Sequence, residues 1–138
     1  MKSLLIPATI LLAIVLTAGV YRNGETEGTL VSAQDLDTSA NHLIDVSVNE
    51  YVGLQIQWSG ADAVDATVDL ECSVKSGATA SAEFDSYPDA NQTLAAASGS
   101  LWWDVWTRSL GTCRVVYAKG SNSAGTYSIF YRKETPPL

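Results

Sequence analysis

Hydrophobic and polar residues alternate with a period of two through most of the chain after residue 30. No stretch there keeps a helical period of 3.6 for three turns, and turn-forming residues separate the alternating runs. The pattern predicts strands at 43–48, 51–58, 66–74, 102–107, 113–118 and 126–132, with weaker ones at 29–34, 80–84 and 91–95. About eight short strands predict an all-β fold, a two-sheet antiparallel sandwich or jelly roll.

The same alternation places both cysteines on core-facing positions. In the segment 66–74 apolar residues occupy every second position, including Cys72 and Val74, and Cys113 begins the inward-facing set of 113–118. The two cysteines could form a disulfide, which would close a loop of about 40 residues and contribute about 4 kcal/mol. They could equally be two buried thiols that pack as small apolar side chains.

Residues 4–20 form an uncharged apolar run that is flanked by a lysine and an arginine. Such a run is typical of a membrane anchor or a signal peptide. We expect a retained helix at 1–22 that contacts a lipid membrane through residues 4–20, with a cleaved signal peptide or a buried helix as the alternatives. The polar stretch 23–29 is interpreted as a linker to a β-sandwich domain at 30–138.

Charge excludes one class of partner. The 138 residues include 8 Lys and Arg against 15 Asp and Glu, a net charge of −7, with a pI near 4.4. This is the wrong sign for a phosphate backbone, so we predict no nucleic-acid partner. Acidic residues dominate 35–107 and basic residues dominate 108–133. The two regions either neutralise each other within the domain or meet neighbouring subunits.

The chain offers little for metal binding or catalysis. One histidine and two cysteines cannot make a zinc cluster, and His42 is interpreted as a surface side chain. Asp62, Asp65, Asp69 and Glu71 could ligate calcium, but their spacing matches no EF-hand loop, which favours a solvated acidic surface. No carboxylate pair has a spacing that selects it for glycosidase chemistry. We predict no metal, no cofactor and no enzymatic activity.

Three of the four tryptophans lie close together in the sequence. Alternation puts Trp102 and Trp106 on one face of their strand and Trp103 on the other, so one of the two sets faces the core. An exposed tryptophan is a stacking platform for a sugar or an anchor at a protein interface. The candidate interaction surface combines these tryptophans with nearby cations: Trp102, Trp103, Trp106, Arg108, Lys119, Arg132 and Lys133.

Five short segments follow one another in a recognisable order. They read YVGLQIQWSG at 51–60, TVDLECS at 67–73, WDV at 103–105, RVVY at 114–117 and GSNSAGTY at 120–127. This order resembles a small, jelly-roll-like β-sandwich domain that recurs in bacteriophage virion structural proteins. The resemblance covers about residues 43–132 and departs from the pattern at Glu71, at Cys72 and in the turn 74–77. It implies a sandwich fold without catalytic residues.

The resemblance and the apolar N-terminal run together predict a bacteriophage virion structural protein. The expected role is a minor capsid, vertex or decoration subunit, oligomeric within an assembly, that contacts other capsid proteins and is anchored in a viral membrane. Two alternatives stay open. One is a secreted or surface-anchored carbohydrate-binding module or adhesin that uses the tryptophans. The other is a pilin-like filament subunit, since pilins also join an apolar N-terminal helix to a β domain.

Overall fold

The computed structural model describes residues 25–135, which form a sandwich of two antiparallel β-sheets. The strands in chain order are β1 (Glu25–Asp35), β2 (Ala40–Asp45), β3 (Tyr51–Ser59), β4 (Thr67–Ser73), β5 (Asp85–Ser86), β6 (Gln92–Thr93), β7 (Gly99–Trp106), β8 (Thr112–Ala118) and β9 (Thr126–Glu134). One short 3₁₀ turn, Ser81–Glu83, interrupts them. The predicted all-β, two-sheet fold is confirmed, with nine strands in the described residues rather than about eight.

The four-stranded sheet has the order β1-β9-β3-β7, and the five-stranded sheet has the order β2-β8-β4-β5, with β6 also paired to β4. Strands that are adjacent in sequence lie in different sheets except for β4, β5 and β6, so the chain crosses the sandwich repeatedly. The core lies between the sheets, where every second residue of the long strands is buried: Val52, Leu54, Ile56, Val68, Leu70, Val105, Val115, Tyr117, Tyr127 and Ile129. Successive side chains of a strand point to opposite faces, and only one face of each sheet meets the core, which explains the period-two pattern in the sequence.

Cys72 and Cys113 form a disulfide between directly paired residues of β4 and β8. Both residues are buried, on the core side of the five-stranded sheet. The sequence left open whether the two cysteines form a disulfide or are buried free thiols, and in the structure they form the disulfide. Val74 was expected to continue the inward set, but β4 ends at Ser73 and the Val74 side chain is 79% exposed.

Besides the strand predicted at 43–48, which the structure has at Ala40–Asp45, two local predictions differ from the structure. Residues 25–29, interpreted as part of a linker, are the first half of β1, where Glu25 pairs with Glu134 and Thr29 with Phe130. The weak strand at 80–84 is a 3₁₀ turn, because Glu83 accepts hydrogen bonds from the backbone of Thr79 and Ala80 and bends the chain there. Both misassignments concern segments whose conformation depends on distant or side-chain partners rather than on alternation.

The predicted apolar helix at 4–20 lies outside the described residues. Within residues 25–135, no helix has the length and the apolar character that crossing a membrane requires.

Candidate binding face on the four-stranded sheet

The outer face of the four-stranded sheet exposes aromatic side chains. On β7 the residues alternate as predicted: Trp102, Asp104 and Trp106 point outwards, whereas Val105 is buried. Trp102 is 68% exposed and Trp106 45% exposed. Exposing large indole surfaces costs free energy, so side chains of this kind on a sheet face commonly mark a contact surface.

The centre of this face is hollow because β3 carries a glycine there. Strand register places Gly53 between Asp104 on β7 and Arg132 on β9, and Glu27 on β1 completes the row. Without a side chain at Gly53, a depression of about 590 Å³ forms between the flanking side chains. Volumes of this size suit small ligands or short segments of a polymer.

Aromatic and polar groups line the depression together. The outward-facing residues around it are Glu27, Thr29, Gln55, Trp102, Asp104, Phe130 and Arg132. Gln55 lies directly between Trp102 and Phe130 in the strand register. The face therefore offers a large ring beside amide, carboxylate and guanidinium groups held by paired strands.

Arg132 is committed to carboxylates of its own sheet. Its Nη2 lies 2.7 Å from Glu25 Oε1 and 3.6 Å from Glu134 Oε1, and its Nε lies 3.9 Å from Glu27 Oε1. The hydrogen bond to Glu25, followed by the charges of the three glutamates, raises the pKa of Arg132. The guanidinium is thus a fixed part of the wall and its charge is already compensated.

Trp106 differs from Trp102 in having partners. The ring of Tyr51 meets it edge-on with centroids 4.6 Å apart, and the guanidinium of Arg108 lies 5.5 Å from its ring centroid. Arg108 in turn pairs with Glu50 at 3.0 Å. For Trp102 the described residues provide no hydrogen bond and no ring contact, so Trp102 is the free platform of this face.

No protein-family model and no curated protein matches this chain. Among solved structures, it is similar to the K1 cleaved adhesin domain of Lys-gingipain from Porphyromonas gingivalis W83, with a TM-score of 0.53, 7% identity, and 86% of this chain and 88% of that chain covered. Lower TM-scores relate it to a Bacillus endospore appendage pilus protein (0.44, 8% identity, 83% and 90% covered) and to the infectious bursal disease virus VP2 subviral particle (0.39, 10% identity, 83% and 34% covered). The first likeness establishes a shared β-sandwich fold.

The other residues of the predicted interaction surface are dispersed. Trp103 points to the core side, is half-buried, and donates its Nε1–H to Ala90 O at 3.2 Å, so it is a packing residue. Lys133 donates to Asp45 O at 2.6 Å and lies over the Tyr131 ring. Lys119 is exposed just after β8, in the other sheet. The structure thus brings together Trp102, Trp106, Arg108 and Arg132 from the predicted set.

The acidic residues singled out from the sequence have structural partners. Asp65 accepts hydrogen bonds from the backbone and hydroxyl of Ser121, and Asp62 accepts them from Ser123, which lowers the pKa of both carboxyls. These bonds fasten the loop between β8 and β9 to the segment before β4. Within residues 25–135, no group of His, Cys, Asp and Glu has the arrangement of a metal site.

His42 is half-buried rather than a surface side chain. Its Nε2 lies 2.6 Å from Tyr127 Oη, and burial lowers its pKa. Tyr127 packs against Tyr117, whose hydroxyl donates to Leu36 O at 2.8 Å. His42 therefore belongs to a hydrogen-bonded aromatic group that ties the two sheets together.

Part of the outer face of the five-stranded sheet is covered by the chain itself. Arg114 on β8 pairs with Glu71 on β4 at 2.5 Å, and its side chain is only 8% exposed. The ring of Phe84 lies 4.3 Å from the guanidinium carbon, and Ser81 Oγ lies 3.4 Å from Nη1. The 3₁₀ turn and Phe84 thus form a lid on this pair.

Sequence reasoning missed Tyr51, Gly53, Gln55 and Phe130 as members of the binding face. A signal was present, because an isolated glycine within an alternating strand marks a place where a ligand or another chain approaches closely. Alternation from Gly53 puts Tyr51 and Gln55 on the same outward face. Phe130 could not be found in this way, since its position opposite Gln55 depends on the register between β3 and β9.

Proposed function

We propose that the protein is a non-catalytic carbohydrate-binding domain displayed on a virion or cell surface, and that it binds through the outer face of the four-stranded sheet. One observation carries the proposal: Trp102 is 68% exposed beside a depression that aromatic and polar side chains line together. A sugar ring has apolar C–H faces that stack on an indole and hydroxyl groups at its edge. The indole of Trp102 with the polar atoms of Gln55 and Asp104 complements both parts.

The charges on this face favour a sugar over a protein neighbour. The buried centre of a protein interface is depleted of charged residues. Here the central row of the face consists of Glu27, Arg132, Gly53 and Asp104. A protein pressed against this row would desolvate several charges, whereas a hydrated sugar can hydrogen-bond to them.

A glycan array probed with the full-length protein tests the proposal. We expect binding to at least one class of oligosaccharide, and loss of at least tenfold in affinity for Trp102→Ala. Val74→Ala is the matched control, because Val74 is 79% exposed but lies beyond the end of β4 in the other sheet. No glycan bound above background, or equal binding by Trp102→Ala and the parent, would contradict the proposal.

A bacteriophage virion structural subunit is the second candidate. It is supported by the motif order shared with phage β-sandwich domains over residues 43–132. In the structure, several of these motif residues have packing roles: Trp58 is buried, Arg114 pairs with Glu71, and Gly125 has a φ of 95° that a side chain would strain. On this view the aromatic face meets other capsid proteins, and residues 4–20 anchor the subunit in a membrane.

Two measurements separate the candidates. Co-sedimentation of the full-length protein with purified phage particles, lost in Trp102→Ala, would favour the capsid subunit if the glycan array is negative. Intact-mass measurement of the mature protein tests the anchor, since a mass that begins after residue 19 would show that the apolar run is removed. The prediction that the protein has no enzymatic activity is part of both proposals.

A further inference from the structure

The depression on the four-stranded sheet contains an acidic group that the protein itself does not neutralise. Asp104 is exposed on β7, between Trp102 and Trp106 on the same face. Its Oδ1 would lie 3.7 Å from a Cβ atom at Gly53, so the carboxylate borders the hollow directly. The described residues give Asp104 no hydrogen bond and no salt bridge, although Arg132 is the next outward side chain beyond Gly53.

The surroundings of Asp104 are negative. Its depression and the adjoining one, about 330 Å³, are lined by the acidic residues Glu27, Asp104 and Glu134 and by one basic residue, Arg132. The guanidinium is already shared among three glutamates. Other nearby cations are also engaged, since Arg108 pairs with Glu50 and Lys133 donates to Asp45 O. An anionic ligand would therefore meet uncompensated repulsion, and a cationic one would be attracted.

A cation would also find an aromatic partner. Tryptophan is the most favourable ring for a cation–π contact, and a carboxylate next to it adds a charge-assisted hydrogen bond. The same face already holds one such contact, in which Arg108 lies over Trp106. Trp102 and Asp104 offer the same combination without an occupant from the described chain.

We infer that the depression selects glycans that carry a protonated amine, with the sugar ring on Trp102 and the ammonium group at the Asp104 carboxylate. This inference rests on the proposed carbohydrate-binding function and adds the chemical class of the ligand. Neutral sugars bind less tightly because they lose the ionic contact, and sugars with carboxylate or sulfate groups are rejected.

Three probes of matched length test the inference against the full-length protein at low ionic strength and about pH 5, where the amine of glucosamine is protonated and a carboxylate is mostly ionised. They are an oligomer of glucosamine, its N-acetylated counterpart and an oligogalacturonate. By isothermal titration calorimetry we expect the glucosamine oligomer to bind roughly tenfold more tightly than the acetylated one, from a cation–π contact and an exposed ion pair together. We expect no binding of the oligogalacturonate.

Asp104→Asn tests the preference for an amine separately from carbohydrate binding, because it removes the charge and keeps a hydrogen-bonding side chain of the same shape. In this variant we expect the preference for the glucosamine oligomer to fall from about tenfold to roughly two- to fivefold, the part that a cation–π contact with Trp102 supplies, with the affinity for the acetylated oligomer unchanged. Asp85→Asn is the control, since it makes the same charge change on β5 of the other sheet. The tenfold preference should also shrink as salt screens the ion pair.

Other results would refute either the preference for an amine or the proposed carbohydrate binding itself. Equal binding of glucosamine and acetylated oligomers by the parent protein would refute the amine preference and leave carbohydrate binding standing. Binding of no glycan would refute the proposed function itself. Tighter binding of trilysine than of the glucosamine oligomer would refute a sugar ligand and indicate a basic protein segment on this face.

Discussion

The outer faces of the two sheets differ: that of the five-stranded sheet is closed around Arg114, and that of the four-stranded sheet is open around Trp102. On the five-stranded sheet, Arg114 and Glu71 form an ion pair that Phe84 and the 3₁₀ turn cover, so the chain closes this part of the face. On the four-stranded sheet, Trp102 is exposed and Asp104 borders a hollow over Gly53. Charged and aromatic residues have partners on both faces, but on the four-stranded sheet the described residues give Trp102 and Asp104 no hydrogen bond, ion pair or ring contact.

Under the proposed function, this difference assigns stability to one face and ligand binding to the other. Desolvation of a covered ion pair costs free energy, and contacts with the partner charge and with the covering aromatic ring offset that cost within the fold. An exposed indole beside a carboxylate has no such contacts in the described residues. A ligand that covers the indole and pairs with the carboxylate would therefore gain binding free energy from both. Substitutions on the closed face should therefore unfold the domain, and substitutions on the open face should remove only binding.

The largest expected effect comes from the core that both faces share. Trp58 is 7% exposed and donates its Nε1–H to Ala96 O at 2.8 Å, so it is part of this core. Trp58→Ala should lower the free energy of unfolding by about 3–5 kcal/mol, through lost burial and the cavity left behind. Trp102→Ala, the same substitution at an exposed tryptophan, should change it by less than about 0.5 kcal/mol. Urea denaturation followed by circular dichroism compares them, and equal losses would refute the assignment of roles.

The closed face should depend on its ion pair. Arg114→Ala leaves the Glu71 carboxylate without its partner under the Phe84 ring, and we expect a loss of about 3 kcal/mol. Arg132→Ala is the control on the open face, where the guanidinium is 49% exposed and little stability should be lost. A double-mutant cycle with Glu71→Gln measures the coupling. If Arg132→Ala destabilised the protein as much as Arg114→Ala, the hypothesis that the closed face contributes more to stability than the open face would be refuted.

The direction of side chains along single strands was easier to predict than the arrangement of either outer face. Alternation alone placed Cys113, Val115 and Tyr117 inwards, and it separated Trp102 from Trp103 correctly. It also allowed acidic and basic regions to pair within the domain, as Arg114 and Glu71 do. Periodicity carries this information because side-chain direction in a strand depends only on position along that strand.

The open face depends on relations between strands that periodicity does not contain. The hollow exists because Gly53 falls between Asp104 and Arg132, which requires the register of β3 with both β7 and β9. Likewise, residues 25–29 resembled a linker because their strand partners, Arg132 to Glu134 among them, lie more than a hundred positions away. Long-range pairing decided both features, and a single sequence gives no direct measure of it.

A smaller effect should appear in the pH dependence of the lid. Hydrogen bonds from Lys75, and then from the backbone of Thr79 and Ala80, lower the pKa of Glu83 from 4.5 to about 2. Because this pKa is depressed in the folded state, Glu83 stabilises the fold above pH 4.5, and that contribution is lost as the pH falls from 4.5 towards 2.

Glu83→Gln should therefore flatten the dependence of the melting temperature on pH in that window. Asp85→Asn serves as the control, since it removes an acidic side chain two residues away without touching the Thr79 and Ala80 amides. Thermal melts between about pH 2 and pH 6 make the comparison. Identical pH profiles for Glu83→Gln and the parent protein would show that these hydrogen bonds do not hold the lid.

A small gain in stability should accompany a loss of binding when the hollow over Gly53 is filled. A Cβ atom at Gly53 would lie 3.7 Å from Asp104 Oδ1 and 3.9 Å from Arg132 O, which are ordinary contact distances. Gly53→Val should therefore be accommodated without strain, and its β-branched side chain should stabilise the strand by about 0.5–1 kcal/mol. The same side chain fills the floor of the depression, so glycan binding should fall with Trp102 still in place. Calorimetric melting and titration of one sample measure both quantities. A variant that kept full affinity would show that the ligand does not enter the hollow, and the role of the open face would then rest on the exposed tryptophan alone.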